Sequence, residues 1–517
     1  MIKVRLRFYL LRRQGMPMPP WDPIFGNLRL MPGLARKCPS DALQSQSFAL
    51  LSMEHPGLQN GFYIDLWPFM CPMFVTTTPP LAVQACQTYN LPKPTDLLAP
   101  FINPMTGGNN FFTTNGAEWK HDRDLFNHAF SMTATLGHVD YILDEAEVYV
   151  GILRELTQSG DTSSMDQLAC NYMMDVIGNI TLNTRFNYQT GHNPIAASMR
   201  DTIDLECGRE GENNPFRRWN FYRLYRQWRN SRTMDRYIGL QLEKRYQEWL
   251  QHDQTTTRGK SIIDIVIAEY MKTRPTSQTY NSTLDPECKS WAVIQIRLFL
   301  FVGHDSTAVT IIYCLYLLSN HPETLAKIRL EHAQIFGSKT SVATQIKQHP
   351  EMINQMPYTH AVIKETLRLF PPANGLRFGR PGVSLTDTHS PDGRTFPVDG
   401  CAVWIVHTAI QRNTGYWPYP HNFIPDRWLV QPGHELYPPT GERGARDCVG
   451  QNMAFLGIKI TLAMAVREFD FDSQYEWDRE NPETGAVRTM FGERAYLVAK
   501  GAAHPAQGYP CKVRLAA

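Results

Sequence analysis

The sequence has almost no surplus charge, because its 51 Lys and Arg residues exceed its 49 Asp and Glu residues by only two. Proteins that bind nucleic acid carry a strongly basic face, so this balance argues against such a partner. The chain also lacks a repeat at solenoid or propeller spacing, and it has no long Gly/Ser-rich linker. Although 517 residues would allow several domains, we therefore predict one large domain over residues 17–517, preceded by a basic segment over residues 1–16.

The ten cysteines show none of the spacings that mark a disulfide framework or a structural zinc site. Unpaired cysteines are typical of proteins in a reducing compartment, which favours a location facing the cytosol. No Gly-rich flavin or nicotinamide fingerprint is evident either, so any electrons that the protein uses must come from a partner.

The basic N-terminal segment lacks an apolar run of the length that a membrane span requires. Its patch Phe8-Tyr9-Leu10-Leu11 is interrupted on both sides by arginines, and no small-residue cleavage site follows. Two interpretations remain open for residues 1–16: contact with an anionic membrane surface, or a frayed or truncated terminus.

The most informative motif is Gly444-Ala445-Arg446-Asp447-Cys448-Val449-Gly450. An apolar stretch with helical spacing follows it, so Cys448 precedes a helix N-terminus, whose dipole favours the thiolate form. Glycines at 444 and 450 would allow a tight turn beside a flat cofactor, and Arg446 would meet an anionic group on it. The motif alone allows two interpretations, a cysteinate ligand of haem iron or an inert buried thiol.

A long central helix is predicted from Asp285, which serves as N-cap before Pro286, to the region of His321-Pro322. Its pattern is apolar except in the middle, where Gly303-His304-Asp305-Ser306-Thr307 places a helix-weakening glycine and four polar residues. Ionisable residues argue against a membrane span, so we expect a helix buried in the protein. The polar middle favours a functional site over a simple kink.

Two further pairs have the spacing of neighbours on one helical face. Glu365 and Arg368 are three residues apart, and Trp119 and Arg123 are four apart. Taken alone, the first is typical of a solvated surface ion pair and the second of an ordinary amphipathic helix.

Together, these motifs resemble those of the cytochrome P-450 family of haem-thiolate monooxygenases, and the resemblance runs from about residue 17 to residue 510. It implies a mainly α fold with small β-sheets (α+β) and a long central helix over haem b, iron protoporphyrin IX. By resemblance, Cys448 is the axial iron ligand, and the following residues bind the cofactor: Arg446, Trp119, Arg123, Gly444 and Gly450. Glu365, Arg368 and Arg427 resemble the family's buried structural triad.

The resemblance also implies the site chemistry. Asp305 and Ser306, with Thr307 next, are similar to the family's acid–hydroxyl pair, which delivers protons during oxygen activation. The sequence departs from the family pattern in having Gly441 where a phenylalanine is usual, and serine rather than threonine at 306. A serine hydroxyl still donates and accepts hydrogen bonds, so the relay survives chemically.

The partners implied are O₂, a lipophilic small molecule and an NADPH–cytochrome reductase, with basic residues such as Lys120, Arg123 and Lys459 as docking candidates. The family's usual location implies association with the endoplasmic reticulum, and the C-terminal stretch resembles filamentous-fungal biosynthetic members. The residues that the resemblance places on the substrate pocket are Phe299, Val302, Asn374, Gly375, Leu376, Met490 and Phe491. Two other functions remain open: a haem-thiolate isomerase, dehydratase or peroxygenase, and a catalytically degenerate haem-binding protein.

Overall fold

The structure is a computed structural model. It describes residues 2–207, 220–251, 261–273, 283–337, 341–388, 393–439, 446–475 and 488–516. Gly441 and Gly444 of the cysteine motif lie outside these residues.

Helices make up most of the described chain. In chain order they are α1 Ile2–Arg13, α2 Met31–Arg36, α3 Gln44–Glu54, α4 Pro79–Val83, α5 Thr95–Thr106, α6 Gly116–Asn127, α7 Met132–Leu136, α8 Val139–Ser159, α9 Met165–Leu182, α10 Pro194–Cys207, α11 Phe221–Gln251, α12 Ile262–Thr273, α13 Pro286–Asn320, α14 Pro322–Phe336, α15 Val342–Gln348, α16 Pro357–Leu369, α17 His407–Ile410 and α18 Gln451–Ala465.

The strands are short and form small sheets. They are β1 Phe62–Ile64, β2 Met73–Thr76, β3 Ser163–Ser164, β4 Gly375–Phe378, β5 Ser384–Thr386, β6 Thr395–Pro397, β7 Ala402–Ile405, β8 Phe469–Ser473, β9 Leu497–Lys500, β10 Ala502–Pro505 and β11 Pro510–Leu515. One sheet has the order β1-β2-β7-β4, in which β2 and β7 are parallel, and a second has the order β3-β11-β8. The strands β9 and β10 form an antiparallel hairpin, as do β5 and β6.

The predicted central helix is α13, and both of its predicted ends are confirmed. The Asp285 side chain accepts hydrogen bonds from the backbone N–H groups of Glu287 and Cys288, at 2.9 and 3.3 Å. The helix ends at Asn320, directly before His321 and Pro322. By length and composition α13 is the one helix of the described chain that could cross a membrane, but most of its apolar stretch is buried inside the protein.

Ionisable groups on α13 have partners inside the protein. The buried guanidinium of Arg297 donates to the carbonyl oxygens of Met105 and Pro104, at 2.9 and 3.0 Å, and to Asp235 on α11, at 2.8 Å. Arg297 therefore connects the central helix to α5 and α11. These partners explain how a charged residue is stable in so apolar a helix.

Gly303 has a packing role in the middle of α13. A side chain built on it would place its Cβ 2.6 Å from Cδ1 of Ile177 on α9, a distance too short for any real contact. The glycine thus allows two core helices to approach closely, which is a structural reason for a residue that the sequence had marked only as functional.

The N-terminal segment is helical and packs on the protein. Phe8 and Leu11 of α1 are buried, and Arg5 forms an ion pair with the buried carboxylate of Asp65. Arg5 also donates to the carbonyl oxygens of Ile24 and Trp67. The interpretation of residues 2–13 as a frayed terminus is therefore wrong, because buried apolar and ionic contacts hold this helix.

Candidate active site

Cys448 lies two residues before Gly450, the N-cap of α18. Its side chain is exposed, but it sits in a recess where surrounding protein atoms displace water. Burial raises the pKa of the Cys448 thiol, while the Gly450 N–H and the Arg123 guanidinium act in the opposite direction.

Gly450 does not serve the tight turn that the sequence suggested. Its φ is −84°, a value that any residue adopts, and a Cβ there would lie 3.9 Å from the Cys448 sulfur, at ordinary contact distance. The missing side chain instead leaves that side of the sulfur open.

Arg446, Trp119 and Arg123 meet beside this loop. The Arg446 guanidinium lies 4.1 Å from the Trp119 ring centroid and donates to the side-chain oxygen of Asn115 at 2.7 Å. Arg123 donates to the carbonyl oxygen of Asp447. The four-residue spacing on α6 thus places both side chains next to the cysteine loop.

Two further cations lie close to this group. They are Lys93, in the loop before α5, and Arg377, on β4. Burial lowers the pKa of Lys93 to about 7, with Arg377 and Arg446 adding repulsion. Burial also lowers the pKa of Arg446 to about 10, and Arg377 and Arg123 contribute. Within the described residues none of the four cations has a carboxylate at ion-pair distance, and the buried Nε of Arg377 has no hydrogen-bond partner. We call Lys93, Arg123, Arg377 and Arg446 the cation cluster.

The sequence reasoning missed Lys93 and Arg377. A signal did exist for Arg377, because a charged residue interrupts the short strand Gly375–Phe378 directly after residues predicted to line the pocket. Lys93 stands alone between two prolines, and its pattern gives no comparable signal.

The three predicted catalytic residues of α13 point in different directions. Ser306 donates from its hydroxyl to the carbonyl oxygen of Val302 at 3.1 Å, and Thr307 to that of Gly303 at 3.2 Å. Val302 is 37% exposed in the middle of an otherwise buried helix, so the Val302–Ser306 side borders a space inside the fold. The Asp305 carboxylate instead contacts the β9–β10 hairpin and α10.

Asp305 is buried and fully engaged. Its Oδ1 lies 3.0 Å from Nε2 of His504 and 3.4 Å from Nη1 of Arg200, and its Oδ2 accepts from the Ala502 N–H at 2.5 Å. Burial would raise the pKa of Asp305, but His504, His304 and Arg200 outweigh it and lower the pKa to about 2. The carboxylate is therefore ionised near neutral pH.

Glu365 is the centre of a buried network and not a surface residue. Its two carboxylate oxygens accept from Nε and Nη2 of Arg368, at 2.9 and 2.8 Å, and from Nε of Arg427, at 3.0 Å. The Ile424 N–H and the Trp428 indole N–H complete the set, each at 3.0 Å. Glu365, Arg368 and Arg427 are all buried, so the surface-pair interpretation is wrong and the triad geometry is present.

The predicted pocket residues divide into two groups. Asn374, Gly375 and Leu376 are half-buried and directly precede Arg377 of the cation cluster, and Val302 is exposed. In contrast, the buried ring of Phe299 packs in an aromatic group with Phe111, Phe126 and Phe130.

Met490 and Phe491 also have packing partners elsewhere. Met490 is buried with Tyr496, Val498 and Ala506, and the Phe491 ring packs against Arg412 and His421. These contacts do not place Met490 or Phe491 beside Val302, with which they were predicted to line the substrate pocket. The C-terminal residues that meet α13 at Asp305 are Gly501, Ala502 and His504, which the resemblance had not placed there.

A protein-family model described as Cytochrome P450 matches residues 35–497. The chain belongs to this family. The protein named Cytochrome P450 monooxygenase polC, from Polytolypa hystricis, is 33% identical, and the alignment covers all of this chain and 92% of that protein. Cytochrome P450 monooxygenase acrF, from Aspergillus aculeatus, is 31% identical over 92% of this chain and 98% of its own length.

A solved structure, the heme domain of cytochrome P450DA, matches with a TM-score of 0.69 over 97% of this chain and 98% of that chain. At 18% identity this likeness shows the fold alone. The expected fold class, mainly α with small β-sheets, is confirmed. The family also makes the protein a monooxygenase with a haem cofactor.

The residues of this P450 fit that cofactor. An accessible cysteine sulfur stands beside four cations that have no carboxylate partner among the described residues, and one of these cations has a buried N–H without an acceptor there. Haem b carries two propionates, which would supply the missing negative charge. The cation cluster would thus bind the propionates, and Cys448 would bind the iron.

The cation cluster leads to a prediction with opposite signs for the apoprotein and the holoprotein. Arg377→Met removes one of four mutually repelling charges, so we expect the apoprotein to be no less stable. The same variant loses a charge-assisted contact to the cofactor, and haem affinity should fall about 10-fold or more. Urea unfolding of the apoprotein and the rate of haem transfer to apomyoglobin would check this.

Arg380→Met, which changes an exposed arginine three residues away, is the matched control. If Arg377→Met destabilises the apoprotein and leaves haem transfer at the rate of the control, the cluster has a structural role only.

Proposed function

We propose that this P450 inserts one oxygen atom from O₂ into a lipophilic small molecule in secondary-metabolite biosynthesis, with electrons from an NADPH reductase. The observation that carries the proposal is the exposed Cys448 sulfur beside the cation cluster. When bound, the haem supplies the oxygen activation, and the cysteinate donates electron density that favours O–O cleavage. Fungal monooxygenase relatives support the biosynthetic role.

The protein's own residues would position the reactants and supply protons. The Glu365 network holds the chain between Gln411 and Asn422, because Arg368 donates to the carbonyl oxygens of Gln411, Pro420 and Asn422. Ser306, on the Val302 side of α13, is our candidate for holding and releasing the protons that the reaction needs, through its hydroxyl. The half-buried segment Asn374–Leu376 and Val302 would form an apolar wall for the substrate.

We also propose that the protein works on the cytosolic face of the endoplasmic reticulum. Ile2, Leu6, Tyr9 and Leu10 are exposed on α1, and Lys3 and Arg13 are exposed on the same short helix. An exposed apolar face with basic neighbours suits an anionic membrane surface. A docked reductase would then approach along the same membrane.

The decisive experiment uses the haem-loaded protein reconstituted with NADPH reductase in phospholipid vesicles. We expect the carbon monoxide difference band that is typical of thiolate-ligated haem, O₂-dependent product that requires the reductase, and sedimentation of the protein with the vesicles. Turnover without reductase would favour an isomerase, dehydratase or peroxygenase. Haem binding without any substrate-induced spectral change would favour a degenerate haem-binding protein.

A further inference from the structure

His504, near the C-terminus, lies between two aspartates that come from different helices. Its Nδ1 is 2.6 Å from Oδ1 of Asp166 on α9, and its Nε2 is 3.0 Å from Oδ1 of Asp305 on α13. We propose that His504 is a positioning residue for oxygen activation, which holds the Asp305 carboxylate in one orientation beside the helical turn that carries Ser306. This inference rests on the proposed monooxygenase function.

The hydrogen-bond geometry requires a charged imidazole. Both carboxylates are ionised: burial opposes this, but beside the effect of His504 the cations Lys500, next to Asp166, and Arg200, next to Asp305, also lower their pKa values. An ionised carboxylate only accepts hydrogen bonds, so both ring nitrogens of His504 must donate. Burial would lower the pKa of His504, but Asp166 and then Asp305 raise it to about 9. His504 is therefore an imidazolium that bridges two helices at neutral pH.

Titratable and charged groups from every neighbouring element face this bridge. They are Asp166 and Cys170 on α9, Arg200 on α10, His304 and Asp305 on α13, and Lys500 on β9. Lys500 lies 3.4 Å from Asp166, and Arg200 lies 3.4 Å from Asp305, so each aspartate has a second cation. Burial lowers the pKa of His304 to about 4, so this residue is neutral.

The backbone of the hairpin is shaped to meet Asp305. Gly501 at the turn has φ +98°, and a Cβ there would lie 2.5 Å from Oδ2 of Asp305. The next residue, Ala502, donates its N–H to that same oxygen. The hairpin thus contacts both carboxylate oxygens, one through Ala502 and the other through His504, which fixes the orientation of the whole group.

The groups around His504 suit a protonated imidazole better than a bound metal ion. Asp166, Cys170 and His504 offer ligand atoms within 4.8 Å of one another. However, His504 already uses both ring nitrogens, Arg200 and Lys500 supply positive charge, and burial keeps the pKa of the Cys170 thiol well above its usual value. The arrangement therefore works as an ion-pair network without a metal.

The position of Asp305 gives the bridge its effect on the reaction. Asp305 directly precedes Ser306, and its negative charge lies within one helical turn of the hydroxyl that we assign to proton delivery. If the bridge is lost, the carboxylate can rotate or take up a proton, and the supply of protons at Ser306 changes. Electrons from NADPH would then yield less product.

The test is the ratio of product formed to NADPH consumed, measured with the haem-loaded enzyme and its reductase. His504→Gln keeps an N–H donor but not the charge, and we expect the ratio to fall about 10-fold. This is less than the roughly 10²–10⁴-fold effect of a group that itself transfers the proton, because His504 acts only through Asp305. The carbon monoxide band and the substrate-induced spectral shift should be retained. In the unsubstituted enzyme the ratio should fall as pH rises through about 9, where His504 loses its proton, and His504→Gln should lack this step.

Asp166→Asn provides a second arm, which leaves His504 and Asp305 in place. Removing the charge of Asp166 takes away the largest effect that raises the pKa of His504, so the fall in the ratio should move to lower pH. This variant keeps the inference testable even if His504→Gln fails to fold.

His332→Gln is the matched control, because His332 is equally buried but bonds only to the hydroxyl of Thr359, at 2.8 Å. Equal losses in His332→Gln and His504→Gln would reduce the role of His504 to stability. A His504→Gln enzyme with an unchanged ratio and pH profile would overturn the inference while leaving the monooxygenase function intact. An unsubstituted enzyme without reductase-dependent turnover would overturn the proposed function itself, and the inference with it.

Discussion

Cys448→Ser should abolish oxygen insertion and remove the carbon monoxide difference band of thiolate-ligated haem. A serine hydroxyl is a far weaker metal ligand than a thiolate and does not donate electron density in the same way, so the loss of product should be complete within detection. The fold should be retained, because the Cys448 side chain is exposed and contributes little buried surface. Product assays, the difference spectrum and circular dichroism together would check this.

Cys71→Ser is a suitable comparison, since Cys71 is half-buried at the end of the loop before β2 and takes no part in the cation cluster. We expect it to keep the band and the activity. If Cys448→Ser retains the band, the axial ligand is another residue and the site assignment fails. If both variants lose it, the cause is general damage to the fold.

The largest parts of the fold could be predicted because the sequence signals there were local. Asp285 and Pro286 mark a helix start by chemistry that acts within one turn, and α13 begins as expected. Trp119 and Arg123 share a face because of helix geometry alone. Contacts between distant segments are different, since no local rule shows that Arg377 on β4 faces Arg446 in the cysteine loop.

Asp305 illustrates this limit most clearly. The acid–hydroxyl pattern predicts a site in the middle of α13, but a helix rotates about 100° per residue, so neighbouring side chains face different surroundings. Its carboxylate binds a histidine 199 residues further along the chain. The contacts of Met490 and Phe491 likewise join distant segments, since Phe491 packs against Arg412 and His421. The assignment of these two residues to the substrate pocket stays a prediction.

Glu365 likewise changed meaning once its surroundings were known. Its spacing from Arg368 matches that of Arg245 and Glu248 on α11, whose side chains are 33% and 41% exposed. The sequence cannot distinguish these two pairs by spacing. Burial distinguishes them, since Glu365 and Arg368 have side chains that are 0% and 1% exposed.

Glu365→Gln should therefore be among the most destabilising single substitutions in the protein. It leaves two buried guanidinium groups without a counter-charge. It also replaces one carboxylate oxygen, which accepts hydrogen bonds, by an amide NH₂, which faces N–H donors and cannot accept from them. Breaking a buried ion pair in this way costs about 3–5 kcal/mol. We expect a lower midpoint of thermal unfolding and a large loss of bound haem, because Arg368 and Arg427 also hold the carbonyl oxygens of the chain between Gln411 and Asn422.

Glu248→Gln is the matched control for Glu365→Gln. It removes the same charge from a pair with the same helical spacing, but this pair is exposed, so a difference between the two variants reports the effect of burial. An exposed pair is worth about 0–1 kcal/mol, so this variant should keep its haem and its unfolding midpoint. Thermal unfolding and haem content of the two variants, measured side by side, would decide the matter. Equal stability in both would mean that the Glu365 carboxylate is replaceable, and that hydrogen bonds from Arg368 and Arg427 to backbone carbonyl oxygens suffice to hold the segment.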